Sequence, residues 1–131
     1  MKKIIKYLGI DWGEKRLGLA TADSEVNLAL PLQTVANLAE ILDIIQEEET
    51  DIIILGDPQK MSGADSDNPN WQHFYEELKR RGGRRVELYD ERLSSLAADA
   101  VSRADPDSAA GRDAMAASII LQDWLDRQAQ A

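Results

Sequence analysis

The sequence predicts an α/β fold, a mixed sheet flanked by helices, and three observations support this prediction. Three strand-like segments come first, with no helical segment between them. A segment with apolar residues at helical spacing follows. The chain then alternates short apolar runs with helical segments, as chains do when a helix connects one parallel strand to the next. We therefore expect five strands, three antiparallel and then two parallel.

The first three strands are predicted from alternation and turn residues. Residues 3–10 alternate imperfectly between two faces, and Asp11 follows at the end of that strand. A tight turn leads to a second strand over 17–22, which indicates a hairpin. Residues 27–35 supply a third strand, and Pro31 places it at an edge of the sheet, where not every backbone donor is needed.

The later elements are predicted from apolar spacing, capping residues and glycine stops. The run IIIL between acids and Gly-Asp-Pro indicates a short central strand that is buried on both faces. In chain order, the predicted elements are a helix over 36–49, this strand within 51–58, a helix over 71–81 stopped by Gly82 and Gly83, a strand over 85–89, a helix from Ser94 or Ser95 to 103, and a last helix with an apolar stripe from Asp113 to Trp124.

Length and composition favour a single domain over 1–131. The chain has 131 residues, 44% of them hydrophobic, which is enough for a substantial core. It has no cysteine, so disulfides and thiolate metal sites are excluded. The N-terminal apolar run is interrupted by Lys6 and lacks a signal-peptide cleavage site, and no stretch approaches the roughly 20 apolar residues of a membrane span. We therefore expect a soluble cytoplasmic protein with no membrane partner.

The net charge of -9 and the pI of about 4.5 argue against broad, non-specific adhesion to nucleic acid. A nucleic-acid partner must then be held by local clusters of cations. Two such clusters are present, Lys15 with Arg16 and the run KRRGGRR over 79–85. Both are candidate phosphate contacts.

Carboxylates follow the three strands that we expect to be parallel. Asp11, Asp57 and Glu91 lie just past the carboxyl ends of these strands, and Asp113 opens a helix that can cover the same edge. Acids brought together repel one another unless a cation neutralises them. Mg²⁺ or Mn²⁺ accepts such oxygen ligands, and two ions about 4 Å apart can activate a water and stabilise the leaving oxygen of a phosphodiester.

Each acid also has an ordinary structural explanation. Asp11 can close a hairpin through an Asx turn, which taken alone is as good an interpretation as the functional one. Glu91 can form a surface ion pair with Arg92, and Asp113 can simply favour a helix N-terminus. The functional interpretation is favoured because independent acids converge on one sheet edge.

Five motifs spread over nearly the whole chain carry a family resemblance. They are LGIDWGEKRLGLATAD at 8–23, ALPLQTV at 29–35, DIIILGDPQKMSG at 51–63, YDERLSS at 89–95 and DAMAASIILQDWLD at 113–126. D-x-G-x-x-R-x-G occurs in other folds, but the order of the last two motifs makes the match specific. The chain resembles the pre-16S rRNA nuclease family, the Holliday-junction-resolvase-like YqgF proteins of the RNase H-like superfamily.

This resemblance implies an RNase H-like fold and metal-dependent hydrolysis of phosphodiester bonds. The reaction would serve 5′-end maturation of pre-16S rRNA, or resolution of Holliday junctions. The partner would be structured RNA, with branched DNA as the alternative. The resemblance leaves open whether the protein is a monomer or a homodimer.

The resemblance also implies roles for particular residues. The catalytic acids and metal ligands would be Asp11, Glu91 and Asp113, with Asp11 bridging two Mg²⁺ or Mn²⁺ ions. Lys15, Arg16 and Arg92 would contact the scissile phosphate, and Arg92 can equally orient Glu91. The candidate site therefore comprises six residues, Asp11, Lys15, Arg16, Glu91, Arg92 and Asp113.

The sequence departs from the family pattern at two places. Relatives usually have Gly-Leu-Pro and an Asn where this chain has GDPQK over 56–60, so Asp57 adds an acid near the metals. The stretch before the last helix is often basic in relatives but reads RADPDSAAGR over 103–112 here, which removes a phosphate-binding patch.

Two other functions compete with the nuclease. DWGEKRLG resembles the phosphate-binding hairpin of the actin and sugar-kinase class, but those ATPases close two such domains around a nucleotide and this chain has room for one. A non-catalytic RNase H-like module could instead bind ribosomal or transcription partners. Retention of all three acids argues against this module, and the altered loop at Asp57 favours it.

Overall fold

The computed structural model describes residues 3–58, 68–91 and 109–130, and this part contains five strands and three helices. In chain order, they are β1 (Lys6–Trp12), β2 (Leu17–Asp23), β3 (Leu30–Val35), α1 (Leu38–Glu47), β4 (Ile52–Asp57), α2 (Pro69–Gly82), β5 (Arg85–Asp90) and α3 (Ala109–Gln130). The strands form one sheet in the order β3-β2-β1-β4-β5. β1, β2 and β3 pair antiparallel with one another, and β4 and β5 run parallel to β1, which confirms the predicted sheet.

The observed strand limits differ from the predicted ones for local reasons. The hairpin ladder continues to the pair Trp12 and Leu17, so Asp11 lies inside β1 opposite Gly18 and not beyond its end. β3 begins three residues later than predicted, because Asn27 has a φ of 59°, a left-handed conformation that a strand cannot contain. β3 is an edge strand, as Pro31 indicated.

Two hydrophobic cores lie on opposite faces of the sheet. The α1–α2 core packs α1 and α2 against one face, and the α3 core packs α3 against the other. The fully buried side chains of the α1–α2 core include Leu8, Ile10, Leu19, Ile41, Ile45, Ile53, Leu55 and Leu78. Those of the α3 core include Ile54, Ile120 and Leu121. Alternating residues of the central strands therefore supply both cores.

Alternation along β1 decides the face on which Asp11 lies. Gly9 lies directly beneath α3, since a Cβ added there would be 2.9 Å from the Cβ of Leu121. Asp11 is two residues further along the same strand and shares that face. The side chain of Asp11 is thus directed toward α3 and away from the α1–α2 core.

Helix ends follow capping chemistry. Asn37 caps α1 by accepting a hydrogen bond from the Glu40 backbone N–H, and the Glu40 carboxylate accepts one from the backbone N–H of Ala36. Asn68 caps α2 in the same way, and the helix begins at Pro69, two residues earlier than the predicted start at 71. Gly83 ends α2 with a φ of 62°, which confirms the predicted glycine stop.

The last helix begins earlier than its apolar stripe suggested. α3 starts at Ala109, so Asp113 lies in its second turn and does not open it. An apolar stripe marks only the part of a helix that packs on the sheet. The first turn of α3 precedes the stripe and was therefore not predicted. The helix predicted over 94–103 lies outside the described residues. Within the described ranges, no helix is both long and apolar enough to cross a membrane.

Candidate active site

Two acids at the same edge of the sheet, Asp11 and Glu91, form a carboxylate pair. Asp11 is near the end of β1, Glu91 directly follows β5, and β4 lies between these strands. Their carboxyl groups share a hydrogen bond. Gly56 of β4 leaves room for the carboxyl group of Glu91, because a Cβ at position 56 would be only 3.1 Å from Cδ and 3.2 Å from Oε1 of Glu91. The sheet edge therefore brings two of the three predicted acids together.

Both members of the carboxylate pair have strongly raised pKa values. Burial, followed by the negative charge of Asp113, raises the pKa of Asp11 from 3.8 to about 7, against the opposing effect of the hydrogen bond with Glu91. Burial, followed by the charges of Asp11 and Asp57, raises the pKa of Glu91 from 4.5 to about 8. Near neutral pH such a pair retains a proton, unless a cation neutralises it.

Asp113 reaches this edge because α3 crosses β2 at a glycine. A Cβ added to Gly18 would be 1.9 Å from the backbone oxygen of Asp113, so no side chain fits there. Gly18 is paired with Asp11 across the hairpin. The close crossing places Asp113 near enough to raise the pKa of Asp11, but its carboxylate accepts a hydrogen bond from Arg16 Nε at 3.1 Å.

The other predicted phosphate contacts have different surroundings. Lys15 is exposed beside Arg16, and no ion pair joins it to the described part of the chain. Arg92 lies outside the described residues. The basic run at 79–85 is at the opposite end of β5 from Glu91. Its Lys79, Arg80 and Arg85 pair with Glu76, Glu77 and Glu87 respectively. That run therefore does not contribute to this site.

Asp57 is a further acid close to this edge of the sheet. It is the last residue of β4 and is only 7% exposed. Alternation places it with Ile53 and Leu55 on the face of the α1–α2 core, opposite to that of Gly56. Its charge nevertheless reaches Glu91 and raises the pKa of that carboxyl group. Asp57 thus acts on the carboxylate pair electrostatically from the other face.

Two buried contacts that sequence reasoning missed support the strand ends. The hydroxyl of Tyr89, a residue only 2% exposed, donates a hydrogen bond to Asp123 of α3, which also accepts one from Arg127 at 2.9 Å. The indole Nε1 of Trp71 donates to the backbone oxygen of Gly56 at 3.1 Å. The sequence feature that could have identified Tyr89 is its position near the end of a strand, two residues before Glu91.

The donor set suits a hard divalent cation. The described residues contain no group of three or more His, Cys, Asp or Glu that could already hold a metal. Mg²⁺ is often bound, however, by only one or two carboxylates together with waters and substrate phosphate. Asp11 and Glu91 supply that number, and a bound cation would offset the burial and mutual repulsion that raise their pKa values. Asp113 would be a third ligand if Arg16 released it.

Comparisons with known proteins identify the family of this chain. A family model described as RuvX, Holliday junction resolvase, matches residues 5–127. A protein of Anaeromyxobacter sp. (strain Fw109-5) named "Putative pre-16S rRNA nuclease" is 41% identical over 133 residues, covering 93% of this chain and 97% of its own. One of the same name from Maridesulfovibrio salexigens is 37% identical, covering 94% and 99%.

Solved structures show the same architecture. Thermus thermophilus RuvC in complex with a Holliday junction substrate superimposes with a TM-score of 0.59 at 16% identity, over 95% of this chain and 96% of that one. This likeness confirms the RNase H-like fold, and the family match confirms the resemblance found in the motifs. The chain therefore belongs to the RuvX family of Holliday junction resolvases, a family of hydrolytic nucleases.

Proposed function

We propose that the protein is a Mg²⁺- or Mn²⁺-dependent endonuclease that cleaves structured RNA in 5′-end maturation of pre-16S rRNA. The observation that carries this proposal is the buried carboxylate pair of Asp11 and Glu91 at the sheet edge. The names of the most similar relatives support an RNA substrate, and the family model supports branched DNA as the alternative. The protein acts as one domain over 1–131 in the cytoplasm, as a monomer or a homodimer.

The protein's own contribution is to hold acids at fixed positions. Asp11 and Glu91, once deprotonated, would be the primary ligands of the metal, and Asp113 would be the third. Two bound ions would supply an activated water and neutralise the scissile phosphate. Exposed Lys15 contacts the substrate phosphate from the β1–β2 turn. The hydrogen bonds of Tyr89 and Trp71 keep β5 and β4 in place, so that Glu91 and Gly56 stay in register with Asp11.

Metal dependence is the first expected result. Purified protein cuts a pre-16S rRNA precursor when Mg²⁺ or Mn²⁺ is present, loses this activity with a chelator, and regains it when the ion is restored. Cleavage is measured on the rRNA precursor and on a four-way DNA junction side by side. Faster cleavage of the precursor supports rRNA maturation, and faster cleavage of the junction supports the alternative substrate.

A non-catalytic binding module is the second candidate function. It is favoured by the ion pair between Arg16 and Asp113, since the described residues contain no group of three acids that could hold a metal. A clean preparation that binds the rRNA precursor but cuts neither substrate with either ion would establish this candidate and reject the nuclease.

The Tyr89 hydroxyl is expected to matter although it lies away from the reacting atoms. Tyr89→Phe removes the hydroxyl that donates to Asp123 and interacts with Arg127, so the protein loses about 1 kcal/mol of stability. Freed from that bond, the end of β5 moves relative to α3, and kcat falls about tenfold, the usual effect of a residue that orients a metal ligand. KM for the RNA changes little.

Tyr7→Phe is the matched control. Tyr7 lies on the same face of the sheet and packs its ring against Trp124, with centroids 5.7 Å apart, near the opposite end of the sheet. Removal of the Tyr7 hydroxyl should leave kcat unchanged. Equal effects of the two substitutions on kcat would mean that Tyr89 has no special role in positioning Glu91.

A further inference from the structure

An ion pair joins two distant parts of the chain at the site. Arg16 lies in the turn between β1 and β2, and Asp113 lies in α3, 97 residues further along. Nε of Arg16 donates to Oδ2 of Asp113 at 3.1 Å. The two side chains are 52% and 30% exposed respectively. The pair therefore lies at the mouth of the site, where solvent and substrate can reach it.

The backbones of both partners are fixed by close packing. A Cβ added to Gly13 would lie 2.8 Å from the backbone oxygen of Arg16, so the turn is as tight as the chain permits. Gly18, two residues after Arg16, allows the backbone of Asp113 to approach as described above. The ion pair thus follows from the placement of two backbones and not from a chance meeting of long side chains.

This contact occupies one carboxylate oxygen of Asp113. Its charge reaches Asp11, which places the two carboxylates near each other. One of its oxygens is nevertheless engaged by a guanidinium, and the described residues hold no group of three acids suited to a metal. Within the described residues, Asp11 and Glu91 form no ion pair, whereas Asp113 would have to release Arg16 before both of its oxygens could bind a cation.

We propose that Arg16 is a positioning residue that competes with the divalent cation for Asp113 and thereby couples metal binding to nucleic-acid binding. This inference rests on the proposed nuclease function. A phosphate offers the guanidinium two oxygens in the planar arrangement that it prefers, so a bound substrate draws Arg16 away from Asp113. Asp113 then joins Asp11 and Glu91 around the cation. By linkage, cation and nucleic acid each strengthen the binding of the other.

The test is Mn²⁺ affinity, measured by calorimetry on the whole protein without nucleic acid. R16Q should bind Mn²⁺ about two- to fivefold more tightly than the wild type, the range expected for release of a partly exposed ion pair. R16K keeps the charge but lacks the planar fork and should fall between them. K15Q removes a neighbouring exposed cation that has no ion pair with the described residues, and its Mn²⁺ affinity should stay near that of the wild type.

Two further experiments distinguish competition for Asp113 from a general effect of the positive charge of Arg16 on the metal. In a D113N background, R16Q should give no additional tightening, because its partner is already gone. A phosphorothioate-linked RNA hairpin that resists cleavage should tighten Mn²⁺ binding by the wild type, and should lose that effect in R16Q.

The outcomes distinguish the inference from the proposed function. Mn²⁺ binding by the wild type with an equal or lower affinity in R16Q overturns the role of Arg16 alone. Tightening by R16Q that persists in the D113N background also overturns it, since Asp113 is then not the ligand in competition. A wild-type protein that binds no Mn²⁺, with or without the hairpin, contradicts metal-dependent cleavage itself.

Discussion

Asp11→Asn should abolish cleavage and, at the same time, stabilise the free protein. The variant keeps the shape of the side chain but removes a ligand charge, so kcat falls by on the order of a thousandfold or more, equivalent to about 4 kcal/mol of transition-state stabilisation. It also removes one of two carboxyl groups that burial and mutual repulsion make unfavourable when charged. Activity and stability are expected to change in opposite directions.

The stability change depends on pH in a definite sense. Folding raises the pKa values of Asp11 and Glu91 to about 7 and about 8, so between about pH 4 and pH 8 the folded protein binds more protons than the unfolded chain. The free energy of unfolding of the wild type therefore falls as the pH rises through this window. Asp11→Asn should be more stable than the wild type by about 1 to 3 kcal/mol at pH 8, with the difference shrinking toward pH 4.

Chemical denaturation in the presence of a chelator measures this difference. Asp126→Asn is the control, because Asp126 is an exposed acid near the far end of α3, and its loss should change stability by no more than about 0.5 kcal/mol and leave activity intact. A destabilised Asp11→Asn protein at pH 8 would show that the carboxylate pair is not under electrostatic strain.

Gly18→Ala should disable the site through the backbone. The new Cβ would lie 1.9 Å from the backbone oxygen of Asp113, and a backbone atom inside a helix cannot turn aside as a side chain can. α3 must shift away from β2, and we expect a loss of about 1 to 3 kcal/mol of stability from overpacking. Asp113 moves with the helix, and displacement of a catalytic group by about 1 Å can cost about a hundredfold in kcat.

Gly82→Ala is the matched control for Gly18→Ala. A Cβ at Gly82 would meet only Ile45 and Leu78 side-chain atoms, at 3.7 and 3.8 Å, which are ordinary contact distances. This variant should fold as well as the wild type and keep full activity. Denaturation curves and cleavage rates of the two variants are compared directly. Full activity in Gly18→Ala would mean that the approach of α3 to β2 does not set the position of Asp113.

Much of the fold was predictable because its signals are local. Alternation in β1, the apolar run of β4 and the glycines after α2 each depend on a few neighbouring residues. Parallel strands then share a carboxyl edge, which is why Asp11 and Glu91 could be assigned to one place before any coordinates were known. The boundaries were less predictable, since the left-handed Asn27 that shortens the third strand carries no strong sequence signal.

The details of the site were not predictable because they depend on contacts between distant segments. Arg16 and Asp113 are 97 residues apart, and sequence reasoning assigned Arg16 to a phosphate and not to that acid. The role of Gly18 depends on a backbone oxygen of α3, which no side-chain pattern encodes. The basic run at 79–85 lies at the opposite end of β5 from Glu91, and Glu76, Glu77 and Glu87, which pair with three of its cations, lie close by in sequence.

Anomalous diffraction from crystals grown with Mn²⁺ locates the cation itself. The proposed function places a Mn²⁺ peak between the carboxylates of Asp11 and Glu91, at about 2.0 to 2.2 Å from an oxygen of each, with their shared hydrogen bond broken. A peak elsewhere on the protein, with Asp11 and Glu91 still hydrogen-bonded to each other at saturating Mn²⁺, would contradict a metal-dependent nuclease built on this pair.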